Sequence, residues 1–338
     1  VIRAGFIGVG GISAVHLNYL KERKDVKIAA LSDISAENVK DKLSKYGGKG
    51  YSDFKEMLKK EKLDAVWVCT PSVVREEPLV ACAEAGIPVF CEKPAERSVA
   101  KAAKIADKLD KLKAKVQIGY VFRCTQPVVA LKKKLKADKV HLAQSFYGCN
   151  VSITMGLRDW FYKKEISGGA LVDQATHNLD LLRFLFGEVT EVSGFANNPV
   201  HAKKPGYTID EVLSLCFLFE SGLLASHIHT WVGDGWRNEI VLSGEKALYR
   251  LNGGSRLVVE CQSQDPLKAK KEKRADDNIV THEGSIYTGE NEAFLKMVKS
   301  GKWAENPSSY RDALNTLQLT VACDQAVTKC GAVRIKKI

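Results

Sequence analysis

A carboxylate, an imidazole and a second carboxylate follow one another at helical spacing in GGALVDQATHNLD, residues 168–180: Asp173, His177 and Asp180. Steps of four and three place them on one face of a helix whose Leu171, Val172, Leu179, Leu181 and Leu182 supply apolar surface. A histidine that titrates near neutrality can take a proton from a hydroxyl or return one to a nascent alkoxide. A carboxylate one turn earlier can fix its tautomer and stabilise its charged form. Asp173 and His177 therefore have the makings of an acid–base pair. A buried pair that only steadies the helix is the alternative. Asp180, on the same face, fits a supporting or interdomain contact.

A second set of residues suits a dinucleotide. Gly8-x-Gly10-x-x-Ser13 lies between an apolar run and a helical stretch. The first glycine permits a tight turn, the second lets backbone approach a pyrophosphate, and a small third residue lets helix and strand pack closely. Gly11 and Ile12 complete the cofactor-contacting stretch, and the helix that follows would face the phosphates with its free N–H groups. Asp33 closes the next strand in ALSDIS, where a ribose-binding acid belongs. No Arg or Lys follows it immediately, so NAD is favoured over NADP. A third candidate is Lys93 in CEKPAERS, at the carboxyl end of a strand, where open α/β sheets bind ligands. Its ammonium can donate to a substrate oxygen.

These residues need a scaffold, and the first 120 residues supply one. Apolar runs VIRAGFIG, VKIAALSD, LDAVWVCT, IPVFCE and AKVQIGY read as buried parallel strands. Helical stretches at 12–23, 35–45, 53–61, 73–85 and 98–113 alternate with them, which predicts a doubly wound α/β sheet. After about residue 123 the pattern changes. A helix over 170–186 precedes strand-like segments 189–197, 209–219, 223–232, 237–243, 246–251 and 256–262, several joined by Gly-containing turns as in an antiparallel meander. Helices at 286–300 and 308–330 and a short tail end the chain. The expected fold is an N-terminal dinucleotide-binding domain (1–122) followed by an α+β domain (123–338) with a large, mostly antiparallel, open-faced sheet. The C-terminal helices are expected to pack back toward the first domain.

The 338 residues are 45% hydrophobic and 27% charged, with a net charge of +11. The basic residues are scattered lysines on helix faces plus the run KAKKEKR at 268–274, with no nucleic-acid-binding motif, so no nucleic-acid partner is expected. No apolar run reaches the ~20 residues of a membrane helix, and VIRAGFIGVGG is too short for a signal-peptide core. Nine cysteines without a CxxC pair suggest neither a disulfide framework nor a zinc knuckle; a reducing cytoplasm is expected. His227 and His229 in HIHTW share a strand face, but no third ligand is evident, so no metal is expected; they read as facing a sheet surface or interface. His16 reads as packing near the glycine turn.

The order Gly8-x-Gly10-x-x-Ser13, CTPS, EKP and GGALVDQATHNLD resembles the Gfo/Idh/MocA oxidoreductase family over nearly the whole chain. The resemblance implies a Rossmann domain binding NAD and a second, substrate-binding domain. It implies that Lys93, Asp173 and His177 meet at the nicotinamide ring, and that Thr70, Pro71 and Glu92 lie along the cofactor. The expected activity is hydride transfer between nicotinamide and a carbinol carbon of a sugar, cyclic polyol or sugar derivative. A recycled cofactor serving elimination or glycoside cleavage, and a non-catalytic NAD sensor, are the alternatives. Arg123 sits where members often carry an arginine near cofactor and substrate, an interdomain salt bridge being the other reading. Arg158 and Trp160 of RDWFY are candidates for the substrate pocket. Members often have a His four residues after the CTPS proline; here that position is Arg75, which leaves the borrowed role open. Homodimers or homotetramers formed through the second domain's open sheet are also implied.

Overall fold

The computed structural model describes residues 1–151, 159–261 and 279–336. Two compact units emerge: Val1–Val121 with Tyr287–Leu317, and Phe122–Ile286 with Gln318–Ile338.

The first unit contains β1 (Ile2–Ile7), α1 (Ser13–Lys21), β2 (Val26–Ser32), α2 (Ala36–Tyr46), β3 (Lys49–Tyr51), α3 (Phe54–Lys60), β4 (Ala65–Val68), α4 (Glu76–Glu84), β5 (Val89–Glu92), α5 (Val99–Lys111) and β6 (Val116–Gly119). The sheet runs β3-β2-β1-β4-β5-β6, and every pairing is parallel. Its order reverses between β1 and β4, the switch point beside which such sheets bind dinucleotides. AVWV of β4 and VFCE of β5 are buried throughout, as strands covered on both faces must be. Trp67 stacks on Phe6 at 5.4 Å and meets Phe294 edge-on at 5.0 Å. Phe294 belongs to the helix Thr288–Ser300, which also contributes Leu295 and Met297 to this core.

Among the described residues the second unit is built on nine strands. They are β7 (Val140–Asn150), β8 (Val189–Asn197), β9 (Val212–Phe219), β10 (Leu224–Thr230), β11 (Val232–Gly244), β12 (Ala247–Asn252), β13 (Arg256–Cys261), β14 (Ile279–Thr281) and β15 (Val333–Arg334), ordered β14-β13-β12-β11-β7-β10-β9-β8-β15. Two departures from the sequence reading matter. The central strand β7 and the helix α6 (Gln126–Lys134) before it were not expected, and β10 pairs with β7 in parallel, so the sheet is mixed. Polar Gln144 and Ser145 blur the alternation that would mark β7; Ser145 is nonetheless buried, hydrogen-bonded to the layer described below. The tail also differs: Val333 and Arg334 add an edge strand to β8.

Candidate functional site

The glycine turn follows β1 directly. Gly8 has φ +82°, and a Cβ there would lie 2.8 Å from the Thr70 backbone nitrogen, so only glycine serves. A Cβ at Gly10 or Gly11 would meet nothing within 4 Å, leaving that side of the turn open for phosphate oxygens. Ser13 is fully buried and its hydroxyl donates to the Gly10 carbonyl at 2.6 Å. Asp33 accepts the Val9 N–H on Oδ2 and the Ser35 N–H on Oδ1, both at 2.8 Å, which ties the carboxylate to the turn. Each of its oxygens keeps a further lone pair for a hydroxyl. Beside it lies a cavity of about 410 Å³ lined by Ala36, Val39, Lys40, Tyr51 and Ser52 among others. The open glycines, the anchored acid and the adjoining cavity fit a dinucleotide.

Lys93 follows β5 and is half-buried. One guanidinium holds its turn. Arg75, itself buried, donates to the Thr70 carbonyl at 2.9 and 2.7 Å and to the carbonyls of Glu92 and Pro94. Arg75 thus joins the Thr70-Pro71 turn to the Lys93 turn. Sequence reasoning missed this, because nothing in an isolated arginine shows which carbonyls it will reach.

Beneath Lys93 lies a buried polar cluster that the sequence did not reveal either. His16 Nε2 lies 2.9 Å from Glu92 Oε1, and Asn291 Nδ2 lies 2.9 Å from His16 Nδ1. Trp67 Nε1 and the Tyr287 carbonyl fix that orientation of Asn291. The reading of His16 as a residue that only packs near the turn is therefore corrected: it is a hydrogen-bonded link from α1 to Glu92. Glu290 points into the same cluster, 1% exposed, with no hydrogen bond to either carboxylate oxygen among the described residues. Ligand atoms of His16, Glu92 and Glu290 lie within 4.8 Å of one another. Burial pushes Glu92 up, but the His16 hydrogen bond and the charges of Lys93 and Arg75 outweigh it and hold the carboxyl below its ordinary value. Burial, and then the Glu92 charge, pushes Glu290 well above its own.

A stability prediction follows from the sign of that shift. Unfolded, Glu290 loses its proton near the ordinary carboxylate value, whereas folded it keeps it to higher pH. Its contribution is therefore intact below that value and is lost as pH rises towards the raised folded one. Glu290→Gln, neutral at every pH, should raise Tm by several degrees at about pH 8 and change it little at about pH 5. Thermal unfolding by circular dichroism across that range checks this; a difference independent of pH would contradict it.

In the second unit, the residues around His177 lie in a π turn, Leu171–Ala175, continued by the helix Thr176–Phe186. Asp173 sits in the π turn rather than in the uninterrupted α-helix that the spacing predicts, a geometry frequent at functional sites. Asp173 and His177 are half-buried. Their surroundings hold the helix in place. Gln174 Oε1 accepts from Trp231 Nε1 at 2.9 Å, and Asn178 exchanges two 3.0 Å hydrogen bonds with Asn238. Asn178 also donates to Ser145 Oγ, which pairs with His227 Nδ1, both at 2.9 Å. Asp180 accepts Arg123 Nε at 2.7 Å and Nη2 alongside it, with side chains 1% and 4% exposed. Arg123 and Asp180 belong to one unit, so this ion pair is not an interdomain contact. Phe122 sets its ring 5.5 Å from that of His177.

His227 and His229 do not face a sheet surface. Both are fully buried, on the β10 face where Ser145 links His227 to Asn178 of this helix. Burial pushes His227 down to about 3 and, with the neighbouring His227, pushes His229 well below its ordinary value. Neither belongs to a three-ligand cluster among the described residues. Arg158 lies outside the described residues, as do the side chain of Trp160 and the basic run 268–274.

With this geometry in hand, comparison with known proteins is informative. Residues 2–120 match a family described as "Oxidoreductase family, NAD-binding Rossmann fold", and residues 136–250 match the "GFO/IDH/MocA C-terminal domain". The myo-inositol 2-dehydrogenase of Thermotoga maritima is 27% identical over 191 residues, covering 56% of each chain. The inositol 2-dehydrogenase of Rhizobium meliloti is 24% identical over 99% of each chain. The match thus spans little more than half the length of the first of these relatives. The crystal structure of scyllo-inositol dehydrogenase from Lactobacillus casei, with bound NAD(H) and scyllo-inositol, shares the fold with a TM-score of 0.80 at 18% identity, covering 99% of each chain. No described helix is long and apolar enough to cross a membrane. A dinucleotide cradle in one unit, a His-bearing helix on a large mixed sheet in the other, and matches to both characteristic domains assign this chain to the Gfo/Idh/MocA oxidoreductase family.

Proposed function

We propose that this chain is an NAD-dependent oxidoreductase that moves a hydride between nicotinamide and a carbinol or ketone carbon of a sugar, cyclic polyol or sugar derivative. The observation that carries the reading is the Arg75 clasp. It fixes Lys93 at the carboxyl end of β5 and joins that turn to the one after β4, on the edge of the sheet that bears the glycine turn. Gly8, Gly10, Gly11 and Ile12 would hold the pyrophosphate and Asp33 the ribose hydroxyls, where its carboxylate would repel a 2′-phosphate. Thr70, Pro71 and Glu92 would lie along the nicotinamide half. Bound NAD supplies the hydride acceptor. His177 takes the hydroxyl proton in oxidation or returns it in reduction, Asp173 stabilises the imidazolium, and Lys93 polarises the substrate oxygen. The joint action of Lys93 and His177 rests on the family resemblance. Arg123 and Asp180 serve the substrate by fixing the His177 helix.

Purified protein incubated with NAD⁺ and a panel of inositols, aldoses and nucleotide-sugar acids, followed by reduced-nicotinamide absorbance, tests the reading. Steady NADH formation with a member of the panel supports it. No NADH with any member, from protein shown to bind NAD⁺, would sink it.

The same reading includes self-association through the second unit's sheet. Along β10, Ala225, His227 and His229 turn inward while Leu224 and Ile228 point out, 58% and 44% exposed, beside exposed Leu218 of β9 and Leu142 of β7. Exposed apolar side chains on one sheet face favour covering by a second copy. Light scattering should give a dimer or tetramer, and Leu224→Glu/Ile228→Glu should give monomers. A monomeric wild type at every concentration would overturn the assignment.

A further inference from the structure

His16, Glu92 and Glu290 come from α1, the end of β5 and the helix Thr288–Ser300, and no other trio of histidine, cysteine or acidic side chains converges in this way among the described residues. All three are buried inside the first unit. Their ligand atoms lie within 4.8 Å of one another, and His16 Nε2 is already 2.9 Å from Glu92 Oε1. Donors around a tetrahedral zinc ion, each about 2.0–2.2 Å from the metal, stand about 3.3 Å apart. Glu290 has only to swing inward to reach that spacing, and no hydrogen bond among the described residues holds either of its oxygens. A buried carboxylate left so is rare and asks for a partner. Gly119 makes room for it: a Cβ there would stand 3.5 Å from Glu290 Oε2 and 3.0 Å from the Phe90 ring. The Glu290 backbone is pinned separately by Gln117 Nε2, which donates to its carbonyl at 3.0 Å.

We propose that these three side chains form a buried site for one divalent transition ion of the zinc type, bound by His16 Nε2 and the carboxylates of Glu92 and Glu290. One imidazole with two carboxylates suits zinc, or cobalt in its place, better than the all-oxygen shells of magnesium and calcium. Two carboxylates brought together out of water repel each other, and a dication between them balances both charges. A histidine that binds metal through one ring nitrogen donates the N–H of the other to a fixed acceptor. Asn291 Oδ1 lies 3.2 Å from His16 Nδ1 and is itself held by Trp67 Nε1. The rings of Phe90 and Tyr287, centred 4.9 and 6.1 Å from that of His16, give the site an apolar shell. The ion ties the helix after the glycine turn to the strand end where Glu92 Oε2 accepts the Lys93 N–H at 3.1 Å. It braces these two turns and takes no part in hydride transfer, so the site stands independently of the oxidoreductase reading.

The test uses untagged full-length protein from cells grown with cobalt chloride, so that the ion can enter before the core closes. Elemental analysis should find one cobalt per chain, with visible d–d bands and no thiolate-to-cobalt charge-transfer band in the near ultraviolet. Glu290→Gln, equal in size and neutral, should lose the ion and its bands, whereas Glu305→Gln, at an exposed position, should keep them. Cobalt-loaded wild type should melt at a higher temperature than wild type from metal-depleted medium, a difference absent in Glu290→Gln. The pH dependence given above for Glu290→Gln belongs to the metal-depleted protein. Wild type that takes up no cobalt, or Glu290→Gln that takes up as much, would overturn the site. So would a thiolate charge-transfer band as the sole cobalt signal, since that marks an ion held adventitiously by exposed Cys216 or Cys330. Should a variant fail to fold, the wild-type stoichiometry and spectrum decide by themselves.

Discussion

His177→Ala is expected to lower kcat by about 10²- to 10⁴-fold while leaving Tm and NAD⁺ affinity close to the wild-type values. The loss should fall on the chemical step, since proton transfer is the role proposed for His177. The helix that carries it is held by its neighbours instead: Gln174 by Trp231, Asn178 by Asn238 and Ser145, and Asp180 by Arg123. Steady-state rates of the variant, with thermal unfolding as the control for folding, check both halves of the prediction. A fall in kcat below about tenfold would remove His177 from proton transfer. A drop in Tm matching the loss of activity would make the imidazole a structural group.

Asp180→Ala should show the opposite pattern. Its carboxylate and the Arg123 guanidinium form a two-pronged ion pair buried in the second unit, with the guanidinium also set over the Phe184 ring at 4.9 Å. Removing one partner takes the opposing charge away from a buried ion pair, which costs about 3–5 kcal/mol. Replacing both by apolar groups of similar volume, Arg123→Met/Asp180→Leu, avoids the stranded charge and should recover most of that stability. Urea unfolding of the single and double variants measures the coupling. If the double variant is as unstable as Asp180→Ala, the pair is needed for shape rather than charge balance.

The contrast between these two residues marks how far the sequence could be read. Spacing put Asp173, His177 and Asp180 on one helix; His177 and Asp180 lie in the helix Thr176–Phe186 and Asp173 in the π turn before it. It could not show that Asp180 is committed to Arg123 or that Asp173 falls in a π turn, since both depend on partners distant in sequence. The parallel sheet of the first unit was legible because strands buried on both faces read as unbroken apolar runs. The strand β7 was not: Gln144 and Ser145 interrupt its pattern, and Ser145 is tolerated inside only because His227 and Asn178 satisfy its hydroxyl. His16 and Arg75 reach the Glu92–Pro94 turn through contacts made across 17 or more residues of chain, and single-residue chemistry gives no hint of them.

The measurement that bears most directly on the central claim is the fate of a carbon-bound deuterium. Wild-type protein, NAD⁺ and ring-perdeuterated myo-inositol or glucose would be incubated together, and the cofactor and product analysed by mass spectrometry. Hydride transfer predicts one deuterium in each NADH formed, in step with the ketone or lactone that appears. Product accumulating while the cofactor pool stays free of deuterium would contradict it.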